Sequence, residues 1–207
     1  MKNKPIFSIL VSLILSVFAG SELLKRFYKN PKAQGDQTEL PQLGSIADFI
    51  LKNQDDTPYS LKDLQGKVSI ADFFFTRCMG PCPKMSVAMK QVQDGLLSSP
   101  PNVRLISISM DPSYDQPAVL KKYAEKYEAI PARWSFLTGD KQEVVRLATQ
   151  TFKLAAGEEP DLHSTRFVLI DQEAQIRGYY DSLDKTSIQK LLQDALALSR
   201  QETNPNG

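Results

Sequence analysis

Three observations predict an α/β fold for this chain: an apolar, β-rich run at Val68–Phe75, a helical stripe directly after it, and a second apolar run at Val103–Met110. Strand, helix, strand at this spacing is the order of a βαβ unit with parallel strands. The composition agrees. A chain of 207 residues with 42% hydrophobic and 24% charged side chains suits one ordinary globular domain and excludes disordered, collagenous and coiled-coil classes.

The first element is a leader. Lys2 and Lys4 precede the uncharged run Pro5–Gly20, interrupted only by Ser8, Ser12 and Ser16, which is the pattern of an export signal. Val17-Phe18-Ala19 resembles a cleavage site, whereas Leu23, Leu24, Phe27 and Tyr28 would extend an interfacial helix, so a retained anchor is favoured over a cleaved signal. No cysteine follows the apolar run, which excludes a lipid-modified anchor. The short n-region without arginine points to a bacterial inner-membrane protein whose domain lies on the periplasmic or extracytoplasmic side. The expected organisation is residues 1–28 as signal or anchor, 29–42 as a Pro- and Gly-containing linker, 43–200 as the domain and 201–207 as a disordered tail.

Within the domain, the turn signal Gln65-Gly66-Lys67 opens the central strand, expected to be buried on both faces. Pro83 suits a first helical position, and Met85, Met89 and Val92 fall on one face of a helix ending near Gly95. A second helix spans Asp115–Glu128, with Pro117 near its start and Leu120, Tyr123 and Tyr127 along one side. Asp140 with Glu143 reads as a capping box before the stripe Val144, Leu147, Ala148, Thr151 and Phe152. Arg166–Asp171 and Gln175–Tyr180 form an antiparallel hairpin, and Ile188, Leu191, Leu192 and Ala195 mark a last helix. A parallel βαβ unit followed by a hairpin and a helix is the order of a thioredoxin-like fold, a central sheet flanked by helices.

Charge and cysteine counts narrow the function. Lys plus Arg number 25 against 24 Asp plus Glu, so nothing favours a nucleic-acid partner. Two cysteines and one histidine cannot build a four-ligand Cys/His zinc site. Thiol or soft-metal chemistry therefore rests on Cys78, Cys82 and His163. The segment Thr76-Arg77-Cys78-Met79-Gly80-Pro81-Cys82-Pro83 falls where the central strand ends and a helix begins, the place where α/β folds carry chemistry. Pro83 disfavours helical geometry at Cys82, which places Cys82 at or beside the helix cap. Helix N–H groups, Arg77 and Lys84 are then expected to favour thiolate over thiol. A structural disulfide is the weaker reading, because so short a loop gains little closure entropy.

His163 directly precedes the hairpin, in a loop that faces the cysteine loop in a thioredoxin-like order. Two thiolates with an imidazole suit copper: thiolates hold Cu(I), and the imidazole helps hold Cu(II). Met79 is a weaker ligand candidate, Met85, Met89 and Met110 read as core, and Trp134 reads as a packed aromatic.

Over roughly Leu43–Ser199 the chain resembles the Sco/SenC family, membrane-tethered copper proteins of thioredoxin-like fold. The resemblance is carried by Gly66-Lys67, Phe75-Thr76-Arg77-Cys78 through Cys82-Pro83, Ser109-Met110-Asp111-Pro112 with Asp115 and Pro117, Trp134–Gly139 and His163-Ser164. It implies that Cys78, Cys82 and His163 are copper ligands and that Asp111 orients the site from behind, although a turn cap before Pro112 explains Asp111 equally well. It implies a metallochaperone rather than an enzyme, delivering copper to, or preparing, the binuclear copper site of cytochrome c oxidase subunit II or a related acceptor, with another periplasmic copper chaperone as donor. Met79 and Leu162 stand where the family usually has proline and an acidic residue. Gly80-Pro81-Cys82 echoes the Gly-Pro-Cys of thioredoxins, so the alternative is a thiol-disulfide reductase in which a more exposed Cys78 attacks and Cys82 resolves. Thr76-Arg77-Cys78 lacks the spacing of a peroxidase motif.

Overall fold

A computed structural model describes residues 40–97, 102–154 and 164–201. The leader, residues 29–39 of the expected linker, His163 and residues 202–207 of the tail lie outside the described residues. Among the described residues no helix is long and apolar enough to cross a membrane.

In chain order the elements are β1 (Gly44–Ser45), β2 (Ile50–Asn53), β3 (Pro58–Ser60), α1 (Leu61–Leu64), β4 (Val68–Phe74), α2 (Cys82–Gly95), β5 (Val103–Ser109) and α3 (Pro117–Lys126). There follow β6 (Trp134–Thr138), α4 (Lys141–Arg146) running into a π-helical turn (Leu147–Thr151), β7 (Arg166–Ile170), β8 (Gln175–Asp181) and α5 (Lys185–Ser199). The strands form one mixed sheet in the order β1-β8-β7-β4-β5-β6-β2-β3, parallel only across β4, β5 and β6. This is the predicted thioredoxin-like arrangement of a central sheet flanked by helices.

Strand β4 is buried along its whole length, as expected for a strand covered on both faces. Alternation sends Val68, Ile70 and Phe74 into one core with α2, α3 and α5, while Ala71 and Phe73 enter a second core with Val144 and Phe152. Phe74 carries the layer beneath the cysteine loop: its ring lies 5.1 Å from that of Tyr123 and 5.7 Å from that of Phe136. Trp134 packs on Phe136 and gives its indole N–H to Ser107 at 3.0 Å, so it is a core aromatic with its polar handle satisfied. The hairpin β7–β8 turns on Asp171, whose side chain accepts from the amides of Glu173 and Gln175 and from Arg177. Arg177 also grips the carbonyl of Leu40, tying the last residues of the expected linker to the hairpin.

Local differences from the sequence reading have local causes. The two parallel strands stop one residue early because their next residues start the loops that carry the site. Asp140 does cap α4 through the amides of Gln142 and Glu143, but Glu143 pairs with Arg146 instead of completing a capping box. The stripe through Phe152 is not one α-helix: the amide of Phe152 reaches Leu147 in a wider turn, which still buries Leu147, Ala148 and Phe152. Strands β1, β2 and β3 were not expected, since their short, half-exposed sequences carry little apolar alternation.

Replacing Phe74 by Ala should cost about 3–5 kcal/mol of folding stability, because it empties the layer between Tyr123 and Phe136. Urea unfolding measures this, and a cost near zero would show that the layer is loosely packed.

Candidate metal centre

The cysteine loop begins with a tight turn in which the amide of Cys78 donates to the carbonyl of Phe75 at 3.2 Å. Thr76 and Arg77 are its central residues. The β5–α3 loop holds both of them. Asp115 accepts from the Thr76 amide at 3.0 Å and from the Thr76 hydroxyl, and Asp111 accepts from the Arg77 guanidinium at 3.2 and 2.5 Å. Arg77 also lies 4.2 Å over the ring of Tyr114. The crest of the loop is Met79-Gly80, and the chain re-enters the body through Pro81 to begin α2.

Cys78 and Cys82 stand as thiols, hydrogen-bonded to each other, and both are buried, with 6% and 3% of their surface exposed. Two details differ from the sequence reading. Cys82 adjoins the helix cap Pro81, as read, but is itself the first helical residue, so Pro83 stands one place further into α2, where its missing N–H still costs nothing. The Cys82 thiol is pushed up to about 12 rather than down, first by burial and then by its hydrogen bond with Cys78. Desolvation outweighs the helix terminus here, and the Arg77 charge is engaged outside by Asp111 and Tyr114. Cys78 is the more exposed of the two thiols, as read, although both are buried; the exposed sulfur of the loop belongs to Met79, at 98%. Met85, Met89 and Met110 are core residues, as read.

Among the described residues no three His, Cys, Asp or Glu side chains converge as a metal site. His163, the third predicted ligand, lies outside them. Ser164 and Thr165 lead into β7, which runs antiparallel to β4 and so starts at the end of the sheet where β4 delivers the cysteine loop.

Sequence reasoning left two carboxyl groups without a role: it did not single out Asp72, and it named Asp115 only among the residues that carry the family resemblance. Asp72 is the one charged residue in the run Val68–Phe75, and that interruption was a readable signal. It sits inside β4 beside Ser107, its Oδ1 without a hydrogen-bond partner, and burial raises its pKa to about 7. Its charge in turn contributes to raising the thiol of Cys82 and the phenol of Tyr123. The second is Asp115, fully buried and bonded to Thr76 and Ser109, whose short motif near Pro117 reads from sequence as a helix start.

The SCO1/SenC family model matches residues 37–197, and the chain belongs to that family. A SCO1 protein homolog of Bacillus subtilis is 34% identical over 170 residues, which is 80% of this chain and 88% of that protein. BsSco, described as a Sco-family cytochrome c oxidase assembly protein with a disulfide switch, superposes with a TM-score of 0.71 at 31% identity, covering 80% of this chain and 100% of that one. Yeast Sco1 with copper bound superposes with a TM-score of 0.59 at 29% identity, covering 74% of this chain and 92% of that one.

The buried acid sets a pH dependence. Unfolded, Asp72 loses its proton near pH 3.9, and folded it keeps it to about 7, so stability is complete below the first value and falls as pH rises through the second. Asp72→Asn should match wild type near pH ~4 and exceed it by about 1–3 kcal/mol near pH ~8. Urea titrations at both pH values check this, and a difference independent of pH would contradict it.

Proposed function

We propose that this chain is a membrane-tethered copper metallochaperone that carries copper on Cys78, Cys82 and His163. In this reading it delivers the metal to, or prepares, the binuclear copper site of cytochrome c oxidase subunit II or a related acceptor. The observation that carries the reading is the pair of adjacent thiols, held dry at the start of α2. A thiol pushed up to about 12 gives up its proton only to something that binds sulfur strongly, which copper does and hard cations do not. Yeast Sco1 with copper bound and BsSco, a cytochrome c oxidase assembly protein, support the cargo and the process. The start of β7 at the same end of the sheet supports His163 as the third ligand. Asp111 acts from behind the site, through Arg77.

Copper is cargo, and it passes by exchange of one ligand at a time with the acceptor's cysteines, a donor chaperone loading it in the same way. No catalytic turnover is required. Residues 1–28 supply the anchor at the bacterial inner membrane, 29–42 the linker and 43–200 the copper-binding domain on the periplasmic or extracytoplasmic side, with 201–207 as a tail. A second reading, thiol-disulfide reduction through Cys78 and Cys82, is favoured by the same adjacency of thiols and by the disulfide switch described for BsSco.

The two readings separate at His163. In the full chain purified in detergent, Cys78→Ser and Cys82→Ser should each abolish tight Cu(I) binding, and His163→Ala should weaken Cu(I) binding and remove or alter the Cu(II) absorption bands while leaving dithiol oxidation intact. Unchanged copper binding in all three variants would refute the copper site. In cells limited for copper, full oxidase activity with His163→Ala and none with Cys78→Ser would establish the reductase reading instead.

A further inference from the structure

We propose that Asp115 is the positioning residue of the cysteine pair, the group that keeps the Cys78 side of the loop in place so that the two thiols stay within reach of each other. The inference rests on reading Cys78 and Cys82 as the reactive pair.

The carboxyl group of Asp115 is fully buried and is held by hydroxyl and amide donors: the Thr76 amide, the Thr76 hydroxyl and the Ser109 hydroxyl. These donors come from the two segments that leave the parallel strands β4 and β5 side by side. The Ser109 hydroxyl accepts in turn from the Asp111 amide at 3.1 Å, and the Asp115 amide donates to the Asp111 carbonyl at 2.9 Å, so the β5–α3 loop is closed on itself before it grips the cysteine loop. Thr76 is a central residue of the turn that places Cys78. Fixing both its amide and its side chain fixes that turn.

Asp111 grips the other central residue, Arg77, but on the surface: 57% of the Arg77 side chain and 26% of the Asp111 side chain are exposed. Exposed ion pairs hold geometry weakly, whereas buried hydrogen bonds to a carboxyl group hold it strongly, because solvent offers no substitute partner. The two acids therefore differ in rank. Asp115 sets the position of Cys78, and Asp111 adds only a surface restraint.

If the turn is released, the Cys78 thiol samples more positions and its effective concentration at Cys82 falls. The disulfide then becomes less favoured relative to the dithiol. A residue that merely stabilises the fold would lower the melting temperature without moving that equilibrium.

The test is the dithiol–disulfide equilibrium of the metal-free full chain in detergent, titrated with reduced and oxidised dithiothreitol. Asp115→Asn keeps the shape, one acceptor oxygen and a donor to which the Thr76 hydroxyl can turn, and should stay within about threefold of wild type. Asp115→Ala should shift the equilibrium toward the dithiol by about tenfold or more, Thr76→Val by about threefold in the same direction, and Asp111→Ala by less than Thr76→Val. Asp115→Ala with a lower melting temperature and a wild-type equilibrium overturns the inference, as does a larger shift in Asp111→Ala than in Asp115→Ala. Should Asp115→Ala fail to fold, Thr76→Val decides: an unmoved equilibrium overturns the inference and a shift toward the dithiol upholds it. Copper binding by the wild-type chain is read in parallel. Its absence refutes the copper cargo, while the thiol equilibrium, which needs no metal, still decides the role of Asp115.

Discussion

The site depends on one constraint: two thiols are kept out of water at the point where a fully buried strand ends and a helix begins. Burial raises the thiol of Cys82 enough to overcome what the helix terminus and nearby cations would do to an exposed cysteine. The Cys82 thiol in this condition is a poor nucleophile while protonated and a strong ligand once its proton is displaced. Dryness thus biases the chemistry toward a partner that bonds to sulfur itself.

The polar groups around that junction are graded by depth. Asp111 and Arg77 meet at the surface, where their attraction is screened. Asp115 lies beneath them and is satisfied by neutral donors. Asp72 is buried inside β4 with one oxygen unpartnered, a feature that weakens the fold at neutral pH and that packing alone gives no reason to keep. The aromatic layer of Phe74, Tyr123 and Phe136 supports all three by holding β4 against α3 and β6.

Much of this was legible in the residues. The run Val68–Phe75 and the stripe Met85, Met89, Val92 carry their periods plainly, because strands and helices that face a core must alternate at 2 and about 3.6 residues. The position of Cys78 and Cys82 at the strand–helix junction followed from those two elements. What was illegible depends on the third dimension. A helix N-terminus lowers a thiol pKa only where its pull exceeds the cost of desolvating the thiolate, and nothing in Thr76–Pro83 states that both cysteines are covered. Asp115 looks like any acid before a proline-started helix until Thr76, 39 residues away in sequence, is found on it. The short strands β1, β2 and β3 gain their order from pairing, β1 with β8, β2 with β6 and β3 with β2, rather than from their own pattern.

The most direct test of the central claim is X-ray absorption at the copper edge on the full chain loaded with one copper per protein. Two sulfur scatterers with at least one imidazole nitrogen, the sulfurs vanishing when both cysteines are alkylated before loading, are the predicted result. A first shell of oxygen and nitrogen alone, or a sulfur shell that survives alkylation, would contradict the assignment of Cys78 and Cys82 as the ligands.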